Sequence, residues 1–262
     1  MTHPSQDGPH RFSGHDPSAG RDTAGVPWEG RTLTGTGFDD DTGAADARLA
    51  ELLATPADER DEQELVSAVA AARLIVPIVA VPSEVDTSSG IPIDAVSDMA
   101  SVTLVAPDGQ RALPAFTSTA ALAAWNAEAR PVPVTAQRAA LAAVQEGCDV
   151  IPLDLPAPPG PAVCTLRPSM VYALAMGRAW APAHRDPQVA AAVARAVAQE
   201  PAVLDHELGD GGEGQLQIRL RLQQQPRLTQ AQVQALVTSV GQQLAADDDT
   251  RTRIDAVGFR LT

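Results

Sequence analysis

The chain has no lysine: all 19 of its basic residues are arginine. Set against 33 acidic residues they leave a net charge of −14 over 262 residues. Nucleic-acid backbones and anionic membranes are held by positive potential, so this excess argues against both as partners. Aromatics are only 3% of the residues although 44% are apolar, so a core here must be built from Ala, Val and Leu. The two cysteines, Cys148 and Cys164, make no disulfide framework in a chain of this length, and neither sits in a zinc-ligand spacing. No apolar run nears the length of a membrane span. The first residues carry His, Gly, Asp and Pro where a signal peptide needs a basic start and an apolar middle. These absences predict a reduced, cytoplasmic protein with no membrane insertion, no nucleic-acid partner and no cofactor.

The acidity is concentrated early. Residues 1–45 are rich in Gly, Pro, Asp and Thr, a composition that cannot bury enough surface to offset its ordering entropy. They read as a mostly disordered acidic tail. Trp28, Leu33 and Phe38 interrupt it, and they define a candidate strap, residues 28–38, that docks extended on the first folded domain.

From Ala47 onward the chain alternates helix and strand patterns. Leu49, Leu52 and Leu53 share one side of a short helix. Thr55-Pro56 reads as the N-cap and first residue of a second helix carrying Leu65, Val66 and Val69, its acidic run Asp58 to Glu64 forming a solvated face. Leu74–Val81 is a continuous apolar strand with Pro77 inside it, which predicts a bulge or an edge position. Pro82–Ser97 reads as a loop. Asp98–Ala106 and Gln110–Phe116 form a hairpin around Pro107-Asp108-Gly109. Helices come next at Ser118–Trp125, Ala136–Glu146 (stopped by Gly147) and Pro168–Met176 (stopped by Gly177), with strands between them and a stiff turn at Pro156–Pro161.

Trp180–Pro187 carries no pattern and reads as a domain boundary. Asp186-Pro187 caps a helix with Val189, Val193 and Val197 at a spacing of four. A strand at Ala202–Leu208 is followed by one at Gln215–Leu222 that alternates cleanly. Leu216, Ile218, Leu220 and Leu222 line one face, with Gln215, Gln217, Arg219 and Arg221 on the other, the pattern of a sheet with one wet side. Thr229 and Gln232 form a capping box for the next helix, Asp247-Asp-Asp249 a loop, and Arg253–Leu261 a last strand. The fold class expected is α/β to α+β: a mixed-sheet domain over 46–180 and a small αββαβ domain over 187–262.

Little here has the makings of chemistry. Cys148 follows a helix stop, at the negative end of the dipole, and Cys164 lies in an apolar strand, so both read as structural. There is no Gly-x-Ser-x-Gly elbow to support a hydrolase triad. Gly209-Asp-Gly-Gly-Glu-Gly214 joins two strands and carries two carboxylates, which suits a hairpin loop better than a phosphate cradle. No catalytic or metal-ligating residue is assigned. Two weaker candidates remain. Asp94, Asp98 and Asp108 flank the hairpin and make a candidate mouth for a small polar ligand. Arg219 and Arg221 project together from one sheet face, a local reversal of charge and a candidate partner surface, with Asp205 and Glu207 available as cross-strand neighbours that would neutralise them.

Taken in order, several stretches resemble the SseB family (enhanced serine sensitivity) in its N-terminal-domain form. They are Trp28-Glu-Gly-Arg31, Phe38-Asp-Asp-Asp-Thr-Gly43, Arg73-Leu-Ile-Val-Pro-Ile-Val-Ala80, Asp98-Met-Ala, Asp108-Gly-Gln-Arg-Ala-Leu-Pro-Ala-Phe-Thr-Ser118, Ala121-Leu-Ala-Ala-Trp125, Glu146-Gly, and Arg167-Pro-Ser-Met through Leu174-Ala-Met-Gly177. The resemblance covers roughly residues 28 to 180 and implies an intracellular α/β protein of an uncharacterised group, sometimes labelled secretion-associated, with no catalytic residues to carry over. The reading adopted is a protein-interaction or adaptor module whose protein partner the sequence does not name. The alternative is a domain that binds, or acts on, a small polar ligand.

Overall fold

A computed structural model describes residues 37–81, 98–156 and 162–262. The tail before Gly37 with Trp28 and Leu33, the loop at Pro82–Ser97 with Asp94, and all but the first residue of the turn at Pro156–Pro161 lie outside the described residues. Residues up to Asp41 form a unit of their own, of which the described part is a turn closed by the Asp41 N–H on the Phe38 carbonyl at 3.0 Å. Thr42–Thr262 forms the second unit.

Helix α1, Ala47–Ala54, starts where the Asp46 carboxylate accepts from the Leu49 N–H, and it buries Leu49, Leu52 and Leu53. Helix α2 departs from the sequence expectation. Thr55 closes α1, its N–H on the Leu52 carbonyl, and Pro56–Glu59 makes a single turn. Arg60 ties that turn down by donating to the carbonyls of Leu53 and Thr55 at 3.0 and 2.7 Å. The helix begins only at Glu62–Ala71, capped by Asp61. A carboxylate with open N–H groups just beyond it is a better cap than a threonine already engaged in ending a helix.

Strand β1, Arg73–Val81, is central rather than marginal. It pairs antiparallel with β2, Asp98–Ser101, on one side and with β5, Arg130–Thr135, on the other. Pro77 faces Pro131, and Pro133 faces Ile75. In an antiparallel ladder every second pair exchanges no backbone hydrogen bonds. All three prolines fall on that parity, so the β1–β5 ladder loses no donor. Ile75 turns its N–H the other way, to the Phe116 carbonyl at 2.8 Å, and Phe116 N–H returns to Ile75 at 2.8 Å. On that side Pro77 only accepts, from Val102 at 3.3 Å, just beyond the end of β2.

The hairpin expected around Pro107-Asp108-Gly109 is present but short: β3, Leu104–Val105, pairs with β4, Arg111–Ala112, across a turn with Gly109 at φ +88°. Asp98–Ala106 is therefore two strands in two sheets, not one. Helix α3, Thr119–Trp125, is capped by Ser118, and α4, Ala136–Gln145, by Thr135 directly at the end of β5. Strands β6, Ile151–Leu153, and β7, Cys164–Leu166, pair antiparallel and lead into α5, Pro168–Ala175.

After a 3-10 turn at Ala183–Arg185 come α6, Pro187–Val197, then β8, Val203–Asp210, and β9, Gln215–Leu222. Helix α7, Gln230–Ala246, starts from the capping box of Thr229 and Gln232. Asp247–Asp249 is not a plain loop. The Asp247 carboxylate accepts from the N–H groups of Asp249 and Thr250 and starts the short helix α8, Asp248–Arg251. Those backbone N–H bonds, Thr250's above all, hold its carboxyl below the usual range. Strand β10, Ala256–Leu261, completes the sheet β10-β9-β8, in which β9–β10 is parallel and β8–β9 antiparallel.

Helices and several small sheets thus mix throughout the described residues. Three apolar clusters fill them. The largest joins α1, α2, α4 and α5 to Leu74, Val76, Leu113, Ile151 and Leu166. A small one gathers Ile75, Leu122 and Ala129 around Phe116, whose ring lies 5.3 Å from that of Trp125. The third packs Val189, Val193 and Val197 of α6 and Leu236, Val240 and Leu244 of α7 against Leu216, Ile218 and Leu220 of β9.

With so few aromatics, the fully buried Phe116 carries a disproportionate share of the packing in its cluster. Phe116→Ala is expected to lower the free energy of unfolding by about 3–5 kcal/mol, read by urea denaturation. A loss below about 1 kcal/mol would show that the cluster closes over the missing ring.

Candidate functional site

The most connected group of polar side chains is assembled at the start of α5. That helix has Pro168 at its first position and no side-chain cap from Arg167, the residue before it. An uncapped helix start leaves N–H groups that need another acceptor. The acceptor comes from 86 residues further on: Asp255 Oδ1 takes the Ser169 N–H at 2.7 Å, and Oδ2 takes the Ser169 hydroxyl at 2.9 Å. Trp180 Nε1 donates to the same hydroxyl oxygen at 3.0 Å, and both Ser169 and Trp180 are buried.

Arg167 completes the group. Its Nε donates to Asp255 Oδ2 at 3.0 Å, and its two terminal nitrogens reach the two oxygens of Glu62 on α2, the Nη2–Oε2 contact being 2.8 Å. Its guanidinium also lies over the Trp180 ring, 5.9 Å from the centroid, within cation–π range. Burial works against the charge, but the Glu62 and Asp255 carboxylates outweigh it and raise the Arg167 pKa. Gly214, at φ +80°, is pressed against this pair: a side chain there would begin 3.0 Å from Asp255 Oδ2 and closer still to the Arg167 Nε.

A second ion pair runs alongside. Arg253 bonds the buried Asp186 at 2.8 Å and Asp249 at 3.0 Å. Asp186 meanwhile caps α6 by accepting from Gln188 at 2.8 Å. Arg178 reaches the Thr252 carbonyl at 3.0 Å. Residues 167–180 are thus fastened to residues 249–255 by charge-assisted bonds, the stronger kind.

Around this joint lies a cleft of about 510 Å3, lined among others by Glu59, Glu62, Arg167, His184, Asp210 and Asp255. Its best-placed groups face one another. Ser169 donates to a carboxylate already held by arginine and receives from an indole, so it has neither a free base nor an exposed oxygen, which a nucleophile needs. Among the described residues no set of three His, Cys, Asp or Glu side chains is arranged to hold a metal ion.

The residues picked out from the sequence lie elsewhere. Asp98 opens β2, opposite Val81. Asp108 is exposed in the β3–β4 turn, where Oδ1 accepts from Gln110 N–H at 3.0 Å. Asp108 does not line the cleft. Arg221 pairs with Asp205 at 3.2 Å and Arg219 with Glu207 at 3.6 Å, across β8 and β9. Hydrogen bonding to Arg221 lowers the Asp205 pKa. The acidic run of α2 is more than a wet face, since Asp61 caps, Glu62 holds Arg167 and Glu64 pairs with Arg48. Burial raises both thiol pKa values, against a Thr103 hydrogen bond at Cys148 and against the Arg60 charge at Cys164. Sequence reading missed Arg167, Ser169, Trp180 and Asp255, because their spacing along the chain carries no pattern. The one available signal was negative: a helix opening on Pro168 with no capping residue before it.

These features define a mixed α/β protein whose most elaborate polar cluster is a fastening. Residues 46–173 match the family model of the SseB protein N-terminal domain. Over that stretch the chain carries an SseB N-terminal domain. No curated protein and no solved structure matches the chain.

Asp255→Ala should cost about 2–4 kcal/mol of stability, because it strands the Ser169 N–H and hydroxyl and half the Arg167 charge. In a double-mutant cycle with Arg167→Met the coupling should exceed about 0.5 kcal/mol. Strictly additive unfolding energies would mean that the two groups are neighbours without being partners.

Proposed function

We propose that the chain is a protein-interaction module of the SseB family that works as an adaptor and has no chemistry of its own. The observation behind this reading is an exposed apolar strip on α4 and α5. These helices pack together, burying Ala136, Ala139, Ala140 and Ala143 on one side and Met170, Val171, Ala173 and Leu174 on the other. Gln137 Nε2 bonds the Ala175 carbonyl at 3.3 Å, which sets the start of α4 beside the end of α5. Outside that seam, Leu141, Val144, Tyr172 and Met176 remain 37–59% exposed. In a chain with one tyrosine and four methionines, placing both types outward on neighbouring helices favours a surface meant to be covered. The cleft supports a small-ligand role less well, since its polar groups converge on each other instead of on a space.

The test is comparative capture. Tyr172→Glu with Met176→Glu should leave the melting temperature nearly unchanged, as for other exposed positions, while removing the proteins retained by the wild-type chain from a lysate of its native host. A secretion-associated role predicts components of an export apparatus among the proteins lost. Identical capture by the wild type and the double variant would overturn the assignment of this surface.

A further inference from the structure

The open face of the sheet β10-β9-β8 carries one more arginine than the alternation of β9 alone reveals. Helices α6 and α7 pack on the side of Leu216, Ile218 and Leu220. On the other side the register lays out rows across three strands. Glu207, Arg219 and Arg260 form one, and Gly209, Gln217 and Gly258 the next. Asp205 and Arg221 stand beyond the first row.

Arg219 and Arg260 are therefore neighbours on adjacent strands, on the order of 5 Å apart at the backbone. Like charges in that position repel. Glu207 lies 3.6 Å from Arg219, and Arg260 has no ion pair among the described residues. All of these charged side chains are exposed. Long, exposed pairs such as Arg219–Glu207 contribute little and are easily exchanged for another carboxylate. Beside them, glycines flank Gln217 on both strands, with the Gln215 side chain lying over Gly258 and the Gln217 Nε2 buried. The face thus offers three guanidinium groups to two carboxylates in a chain whose net charge is −14.

We propose that this face docks an extended acidic segment of a partner protein, with carboxylates at alternate residues. Successive outward residues of a strand are about 6.8 Å apart, so side chains at positions i and i+2 of an extended peptide match Arg219 and Arg221. Arg260 takes the second oxygen edge of the carboxylate at Arg219. The surface is separate from the α4–α5 strip and would serve an interaction module as a second contact.

Fluorescence anisotropy on the full chain tests this, with a labelled peptide of four Thr-Asp repeats as probe. The peptide should bind, and more weakly as salt rises. Arg219→Gln with Arg260→Gln should weaken it by about tenfold or more with an unchanged circular-dichroism spectrum, and Arg219→Lys with Arg260→Lys should restore part of the affinity. A Thr-Asn peptide should not bind. Tyr172→Glu with Met176→Glu should leave peptide binding intact, so the two surfaces stand or fall separately. The proposal is overturned by no binding at about millimolar peptide, by equal binding of the Thr-Asn peptide, by equal affinity in the Gln or Lys variants and the wild type, or by an oligothymidylate of similar length binding as well as the acidic peptide.

Discussion

The clasp of Arg167 between Glu62 and Asp255 is the interaction on which the arrangement of the rest depends. Three separate backbone problems meet there. Helix α5 starts on a proline with no cap of its own; the segment before β10 needs an anchor; and the β8–β9 loop has to pass close by, at Gly214. One carboxylate and one guanidinium answer all three. The cost of drawing these charges out of water is offset only because each is bonded to several partners, which is the condition under which a part-buried ion pair stabilises a fold. The apolar clusters on either side, one around α4 and α5 and the other around β9, are therefore joined by a polar clasp.

That economy leaves surface free for other uses. Alanine fills the seam between α4 and α5, so the helices come close and the larger side chains Leu141, Tyr172 and Met176 are left outward. The small sheet likewise has helices on one face alone. Tyrosine, methionine and arginine are the residue types enriched at contact surfaces, and examples of them stand on these two exposed faces while the cleft is occupied by its own salt bridges.

Much of the local structure was legible because it rests on local rules. The capping box at Thr229 and Gln232, the Asp186-Pro187 start of α6, the glycine stops at Gly147 and Gly177 and the alternation of Leu216, Ile218 and Leu220 are all short-range patterns, and each stands in the structure as read. What failed did so through competition or distance. Thr55 looked like a helix start until Asp61, a stronger cap, is set beside it. Pro77 looked marginal because one strand shows its missing donor but not the matching prolines of β5. Asp255 and Arg167 lie 88 residues apart, and a single sequence gives no reason to join them. Arg260 was overlooked beside Arg219 because only the parallel register of β9 and β10 brings them level.

The central claim is that the two apolar bodies are coupled through Arg167. Native-state hydrogen exchange, followed by mass spectrometry in wild type and in Arg167→Met, tests it most directly. The account predicts that replacing Arg167 lowers protection together in α5 and in β9–β10, by comparable factors, although only α5 adjoins the substituted residue along the chain. Loss of protection confined to the first turn of α5, with β9 and β10 exchanging as in the wild type, would contradict it.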